Sequence, residues 1–316
     1  MSDILFIKTS SLGDVIHQMP AVTEARAHRP DARFTWVVEE AFAPLVRLHA
    51  AVDLAIPVAG RQWRRALHRS KTWHDMAAFR KALLARHFDE IIDTQGLLFK
   101  SALIARYARG RRHGYDARSI KEPPAAWLYD VRHRVEWNQH AIGRNRALTA
   151  QALGYVPEGP PDFGLDRVRL AARQAAPYAI LLQATARPSK QWPEANWRQL
   201  AAALGAEIDL SVPFGTPAER ERAERIASAA QRAQVPERAP LDQLARSIAG
   251  ASFVVGVDTG LLHLAGALGV PLVAIFTGSE PGLTGPQGSG AIAVVGGPGA
   301  EPSVAEILAA IERVRK

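Results

Sequence analysis

Three short stretches of the chain carry side chains able to do chemistry. The first, Thr9-Ser10-Ser11-Leu12-Gly13-Asp14, joins the apolar run ILFI to a helical pattern and combines small hydroxyl residues, a glycine and a carboxylate. A loop of this kind at a helix start suits the close approach of an anion or a sugar. Asp14 has two readings there. It is either a first-turn acid that complements the helix dipole, stabilising by about 0.3–1 kcal/mol, or a carboxylate at the mouth of a ligand site, able to accept a proton. The second stretch, Val257-Asp258-Thr259-Gly260-Leu261-Leu262-His263, again follows an apolar run. Asp258 or Thr259 suits a helix N-cap; alternatively the free N–H groups of that helix start hold a phosphate, with Thr259 and Gly260 allowing contact. His263 falls one turn into the helix, where a histidine is more often packed than catalytic. The third stretch, Thr185 to Pro193, brings Lys190, which is either a point charge for a diphosphate or an ordinary surface lysine.

The elements that must position these loops follow from the pattern of apolar runs. In the first half, ILFIK (4–8), FTWVVEE (34–40) and DEIIDTQ (89–95) read as strands, with helical patterns over 15–28 and 76–86 and a short helix in AFAPLVRLHA. The stretch LGYVPEGPPDFGLD (153–166) holds three prolines and three glycines, which marks a linker, with a hinge expected around Pro157–Pro161. The alternation then restarts. Strands are expected at 178–184, 207–215, 252–258, 271–278 and 291–297, with helices at 194–205, 218–232, 260–268 and 303–315. Strands alternating with helices indicate βαβ units and parallel sheets. The expected fold is α/β, with two doubly wound, Rossmann-like domains facing across a cleft. The first domain covers 1–156, the linker 157–166 and the second domain 167–302, followed by a closing helix at 303–316. Ligands of such sheets bind beyond the carboxyl ends of the strands, where all three loops fall.

Composition and charge exclude several classes. The chain has 316 residues, 47% of them hydrophobic, and no cysteine, so disulfide frameworks, thiolate metal sites and cysteine nucleophiles are ruled out. The opening residues run directly into a strand, and the longest uncharged stretch, 259–279, is broken by glycines and a proline. A soluble, cytoplasmic protein is therefore expected. The net charge of +8 is unevenly spread: residues 1–155 hold 24 Lys+Arg against 15 Asp+Glu, and 61–146 alone hold 19 against 8. The first half therefore expects an anionic partner. No zinc-finger spacing or aromatic nucleic-acid motif accompanies the charge, which favours a lipid or a small anionic substrate over nucleic acid. There is no G-x-G-x-x-G fingerprint, P-loop, G-x-S-x-G elbow, H-E-x-x-H or D-x-D pair, so no metal and no cofactor are expected.

The runs KTSSLGDVIHQMPAVTEA (8–25), WVVEE (36–40), DTQGL (93–97) and VDTGLLHLAGALG (257–269) resemble the ADP-heptose glycosyltransferases of lipopolysaccharide synthesis, which have a GT-B fold. The K-T-S-S-x-G-D opening resembles their first-acting branch, heptosyltransferase I, more than the branches that act later. The resemblance spans the whole chain. It implies inverting, metal-independent transfer of L-glycero-D-manno-heptose from ADP-heptose to a Kdo residue of Kdo-lipid A, at the cytoplasmic face of the inner membrane and in peripheral contact with its anionic surface. It also implies that the first domain binds the acceptor, that the second binds ADP-heptose, and that the closing helix packs back on the first. By the same resemblance Asp14 is the general base and Lys190 serves catalysis and the donor phosphates. Ser10, Ser11, Gly13, Thr185, Glu219, Asp258, Thr259, Gly260 and His263 contact the donor, and Arg61, Arg64, Arg65 and Lys121 the phosphorylated acceptor. Trp63, Trp73 and Trp127 are candidates for the membrane interface or for the core. Departures from the family pattern are Ala186 for a threonine, Gln62 within the arginine cluster, Lys121 for an arginine, and one extra residue in QGLLFKS ahead of Lys100. The rival readings are a heptosyltransferase acting on a later core heptose and a non-catalytic binder of anionic lipid.

Overall fold

A computed structural model of the chain describes residues 2–171 and 176–316. The chain divides into two units, Met1–Gly164 and Leu165–Lys316. The first is built on a six-stranded sheet of β1 (Asp3–Ile7), β2 (Arg33–Glu39), β3 (Leu54–Val58), β4 (His87–Asp93), β5 (Arg109–Tyr115) and β6 (Val131–His133). Their order is β3-β2-β1-β4-β5-β6 and every pairing is parallel. The second sheet holds β7 (Tyr178–Leu182), β8 (Asp209–Ser211), β9 (Ala233–Gln234), β10 (Phe253–Val257), β11 (Leu272–Phe276) and β12 (Ile292–Gly296). It runs β12-β11-β10-β7-β8-β9, again all parallel. The expected pair of doubly wound α/β domains is thus present.

Central strands of a parallel sheet are covered on both faces, so their sequences are continuous apolar runs. ILFI of β1, FVVGV of β10 and LVAIF of β11 are completely or nearly completely buried. Each sheet reverses its winding once, between β1 and β4 in the first unit and between β7 and β10 in the second. At such a switch point the loops leaving the two central strands diverge and open a crevice.

Two connecting segments are fastened within their own units. The closing helix Val304–Arg315 buries Val304, Ile307, Ala310, Ile311 and Val314 in the apolar core of its own unit, against Trp192, Trp197 and Leu200. Its apolar stripe at three- and four-residue spacing is satisfied there, within the second unit. Within the Pro/Gly stretch, Pro157–Pro161 is fastened to the first unit. Arg146 donates to the carbonyls of Glu158 (2.6 Å) and Gly159 (3.1 Å), Glu24 accepts from the Glu158 N–H (2.9 Å), and the Gly164 carbonyl accepts from Ala50 N–H (3.0 Å). On the other side Arg167 donates to the carbonyls of Ala249, Ala251 and Gly269, and Asp166 caps the helix Arg167–Leu170 by accepting from Arg169 N–H. Leu165 alone lies between these fastenings.

Candidate active site

In the first unit the loop leaving β1 is built around a capping box. Ser11 opens the helix Leu12–His28, and the Asp14 Oδ2 accepts from both the Ser11 N–H and the Ser11 hydroxyl at 2.8 Å. The capping reading of Asp14 is thus seen directly. One oxygen fastens the helix start, and Oδ1 has no hydrogen-bond partner among the described residues. The loop is clamped from β4: Gln95 accepts from Thr9 N–H (2.6 Å) and the Thr9 hydroxyl (2.8 Å), while its amide donates to the Ser10 carbonyl (2.8 Å). Asp93, at the end of β4 and fully buried, holds that turn by accepting from Gln95 N–H, Gly96 N–H and the Tyr129 hydroxyl (2.6 Å). Burial pushes the Asp93 carboxyl up, and these three donors oppose it.

Asp14 lines a recess with Lys8, Gln95, Tyr115, Lys121, Arg144 and Asn145. Lys8 is buried, and its ammonium donates to the Thr94 carbonyl (2.9 Å) and to Asn145 (3.4 Å). Burial lowers its pKa, with Asp14 and Asp93 acting the other way. The Arg144 guanidinium lies over the rings of Trp137 (3.9 Å) and Tyr115 (4.9 Å) and donates to the Ser119 carbonyl, while its Nε has no partner among the described residues. Three cations thus line one recess with the Asp14 carboxylate, an arrangement suited to an anionic ligand. Lys121 belongs to this recess. Arg61 and Arg64, one turn apart on the helix Gly60–Arg65, line a second recess that shares Thr9 and Ser10 with the same loop. Arg65 lines neither.

In the second unit Asp258 ends β10 and is the hub. Its Oδ2 accepts from the Lys190 ammonium and from the Ser279 hydroxyl (2.5 Å), its Oδ1 lies 3.6 Å from His263 Nε2, and its backbone carbonyl accepts from the Thr185 hydroxyl (3.0 Å). Burial alone would raise the Asp258 carboxyl, but His263, Lys190 and Ser279 outweigh it and hold the group well below the usual carboxylate range. Lys190 is therefore not a loose surface charge. Asp258 occupies one of its three N–H donors, which leaves two for a ligand. The lysine's turn, Pro188–Lys190, is held to the β11 loop by the Thr277 hydroxyl on the Ser189 carbonyl (3.0 Å). Thr259 stands at the N-cap of Gly260–Ala267 without a side-chain cap bond, and Gly260 is that helix's first residue. Glu219 caps its own helix. Its Oε2 accepts from Gly215 N–H (2.8 Å) and Thr216 N–H (3.0 Å), closing a capping box on the helix Pro217–Ala227.

The expected site residues thus gather at two strand-end sites. Ser10, Ser11, Gly13, Asp14 and Lys121 belong to the first unit's recesses and loop, and Thr185, Lys190, Asp258, Thr259, Gly260 and His263 to the second unit. Sequence reasoning missed Gln95, Arg144 and Ser279. Gln95 and Ser279 lie in the short loops just after β4 and β11, and that position was the signal available. Among the described residues no group of three or more His, Asp or Glu side chains is placed to hold a metal ion, and no helix is long and apolar enough to cross a membrane.

Two parallel α/β units, each with its polar residues at the winding reversal, are the architecture of a two-domain glycosyltransferase. E. coli heptosyltransferase WaaC with ADP superposes with a TM-score of 0.92 at 39% identity, over 98% of this chain and 99% of that one. The same enzyme with ADP-2-deoxy-2-fluoro heptose gives 0.88 over the same shares. Lipopolysaccharide heptosyltransferase 1 of Salmonella typhimurium is 42% identical over 92% of this chain and 93% of its own. The model of glycosyltransferase family 9 (heptosyltransferase) matches residues 76–307, and the chain belongs to that family.

Proposed function

We propose that this enzyme transfers heptose from ADP-heptose to a Kdo hydroxyl of Kdo-lipid A, in the manner of the heptosyltransferases it is similar to. The observation that carries the reading is the pairing of chemistries. A carboxylate with a free oxygen stands among cations at one switch point, and a pinned lysine stands beside a helix start at the other. The similarity to a protein solved with ADP and with a fluorinated ADP-heptose supports the donor. The resemblance to heptosyltransferase 1 supports the acceptor.

In the proposed step Asp14 accepts the proton of the Kdo hydroxyl as its oxygen forms a bond to the anomeric carbon of the heptose. The bond from that carbon to the diphosphate oxygen breaks on the opposite face, its electron pair leaves with ADP, and the configuration inverts. General base catalysis of this kind contributes about 10²–10⁴-fold. Lys190 meets the charge that grows on the diphosphate, in a geometry fixed in advance by Asp258. Thr185, the N-terminus at Thr259–Gly260, His263 and Glu219 surround the donor, with Ser10, Ser11 and Gly13 approaching it from the loop of the base. Lys121 and Arg144 take the carboxylate of Kdo, and Arg61, Arg64 and Arg65 take acceptor phosphate. The basic first unit, with Trp127 75% and Trp73 58% exposed, rests against an anionic membrane surface at the cytoplasmic face.

The test is ADP release from ADP-heptose with Kdo-lipid A or with an already heptosylated core as acceptor, using Asp14→Asn as control. Release with the Kdo acceptor alone, lost in the variant, is expected. Release with the heptosylated acceptor alone would assign the enzyme to a later core heptose, and release with neither would refute the reaction.

A further inference from the structure

The second recess of the first unit joins the arginines proposed for acceptor phosphate to an apolar wall that sugar transfer does not use. Its apolar walls are Val58, Trp63, Met76, Phe79 and Ile104, with the Glu39 carboxylate, which accepts from Arg61 N–H (3.2 Å), also in the lining, and its cavity volume is about 210 Å³. Arg61, Arg64 and Lys100 line it too, and none of the three forms an ion pair among the described residues. Two of its apolar residues stand open: Phe99 is 79% exposed and Leu67 50%. The exposure of Phe99 has a local cause. Leu98–Ala102 is a π-helical turn, in which Ala102 N–H reaches back five residues to the Leu97 carbonyl and Leu103 N–H to Leu98. This wider turn falls within QGLLFKS, the run expected to be one residue longer than the family pattern, and leaves Phe99 outside. Contiguous exposed apolar surface rimmed by charge marks a binding site, since leaving it in water is unfavourable.

The ligand that fits has an apolar limb and an anion at its root. Thr9 and Ser10 also line the recess, so its occupant touches the loop that carries Asp14. We propose that the recess takes a fatty acyl chain of the acceptor itself, with acceptor phosphate held by Arg61, Arg64 and Lys100 at the rim. This rests on the heptosyl-transfer reading above and deepens it: the enzyme recognises the lipid part of its acceptor as well as the sugar.

The experiment compares the KM of ADP release for Kdo-lipid A with that for its fully deacylated counterpart, in wild type and in the double variant Leu67→Ser, Phe99→Ser. Both side chains are exposed, so the variant keeps its core, and circular dichroism melting checks this. Burying two or three methylene groups corresponds to about tenfold or more in binding, so the wild-type KM for the acylated acceptor is expected to lie at least about tenfold below that for the deacylated one. In the variant the acylated KM rises to the deacylated value, while kcat and the deacylated KM stay unchanged. Equal wild-type KM values for the two acceptors, or a variant that shifts both together, would overturn the proposal. So would a variant that keeps the acyl preference but no longer sediments with phosphatidylglycerol vesicles, since the recess would then serve bulk membrane lipid. Absence of ADP release with either acceptor would reject heptosyl transfer itself, a result distinct from all of these.

Discussion

Replacing Asp258 by asparagine tests whether the second unit is organised around one carboxylate. The Asp258 side chain is 8% and that of Lys190 18% exposed, so the pair is shielded on both sides. Two unit charges about 4 Å apart attract by about 4 kcal/mol at an effective dielectric of 20. The regained hydration of the freed groups offsets part of this, and the Ser279 and His263 contacts to the charged form add to it, so the substitution should cost about 2–4 kcal/mol of stability at pH 7. The pH dependence has a definite sign. The folded carboxyl is held below its unfolded pKa of about 4, so its contribution is complete above that value and fades as pH falls below it. Denaturant unfolding of wild type and variant from pH 7 to pH 3 should therefore show a gap of about 2–4 kcal/mol that narrows below about pH 4. Lys190→Ala in both backgrounds should give a coupling of at least about 1 kcal/mol. A gap below about 0.5 kcal/mol at pH 7, or one that does not change with pH, would refute the account of Asp258 as the pin of Lys190.

Asp14→Asn should lower kcat by about 10²–10⁴-fold with little change in melting temperature. Ser11→Ala, which removes the cap hydroxyl, should instead cost about 1 kcal/mol of stability; a variant pair behaving the other way round would show Asp14 to be structural. Gly278→Ala places a Cβ 2.3 Å from the Ser189 carbonyl oxygen, so the turn of Lys190 must move. The expected result is a loss of kcat and donor affinity with the first unit's melting unaffected, measured by ADP release and by isothermal titration with ADP. His49 is buried with Nδ1 accepting from Ala51 N–H (3.1 Å) and Nε2 placed to donate to the Met19 carbonyl (3.2 Å), and burial lowers its pKa to about 4. Its neutral form is thus the folded one, so stability is complete above about pH 6.5 and falls by about 1.4 kcal/mol per pH unit between there and pH 4. His49→Gln should flatten that part of the profile in pH-dependent unfolding.

The parts legible in sequence were those that a local pattern specifies. ILFI, FVVGV and LVAIF announce buried parallel strands because short, wholly apolar runs rich in β-branched and aromatic residues suit strands covered on both faces. β5, RGRRHGY, was illegible because its place is fixed by side chains distant in sequence: Glu90 on His113 (2.6 Å), His113 on His133 (2.8 Å), and the Tyr129 ring, which a Cβ at Gly114 would strike at 2.2 Å. Proline in LAIPV concealed β3, although Pro57 lies on that outermost strand, where a missing N–H is tolerated. The site divides in the same way. Asp14, Lys190 and Asp258 could be singled out because each stands in a loop after an apolar run. That Asp258 pins Lys190 across 68 residues, or that Gln95 clamps Thr9 across 86, follows only from the winding of each sheet.

The single residue between the fastenings at Gly164 and Asp166 makes the tether between the two halves short. On the proposed function, one half carries the heptose and the other the nucleophile, so the length of this tether sets the effective concentration at which they meet. For flexible links that concentration falls roughly as the −3/2 power of length, which gives the reaction a physical parameter that can be dialled. Inserting glycine-serine segments of increasing length after Gly164 would dilute one half of the enzyme with respect to the other without altering either site. Turnover would then report how much of the catalytic rate is owed to connectivity alone.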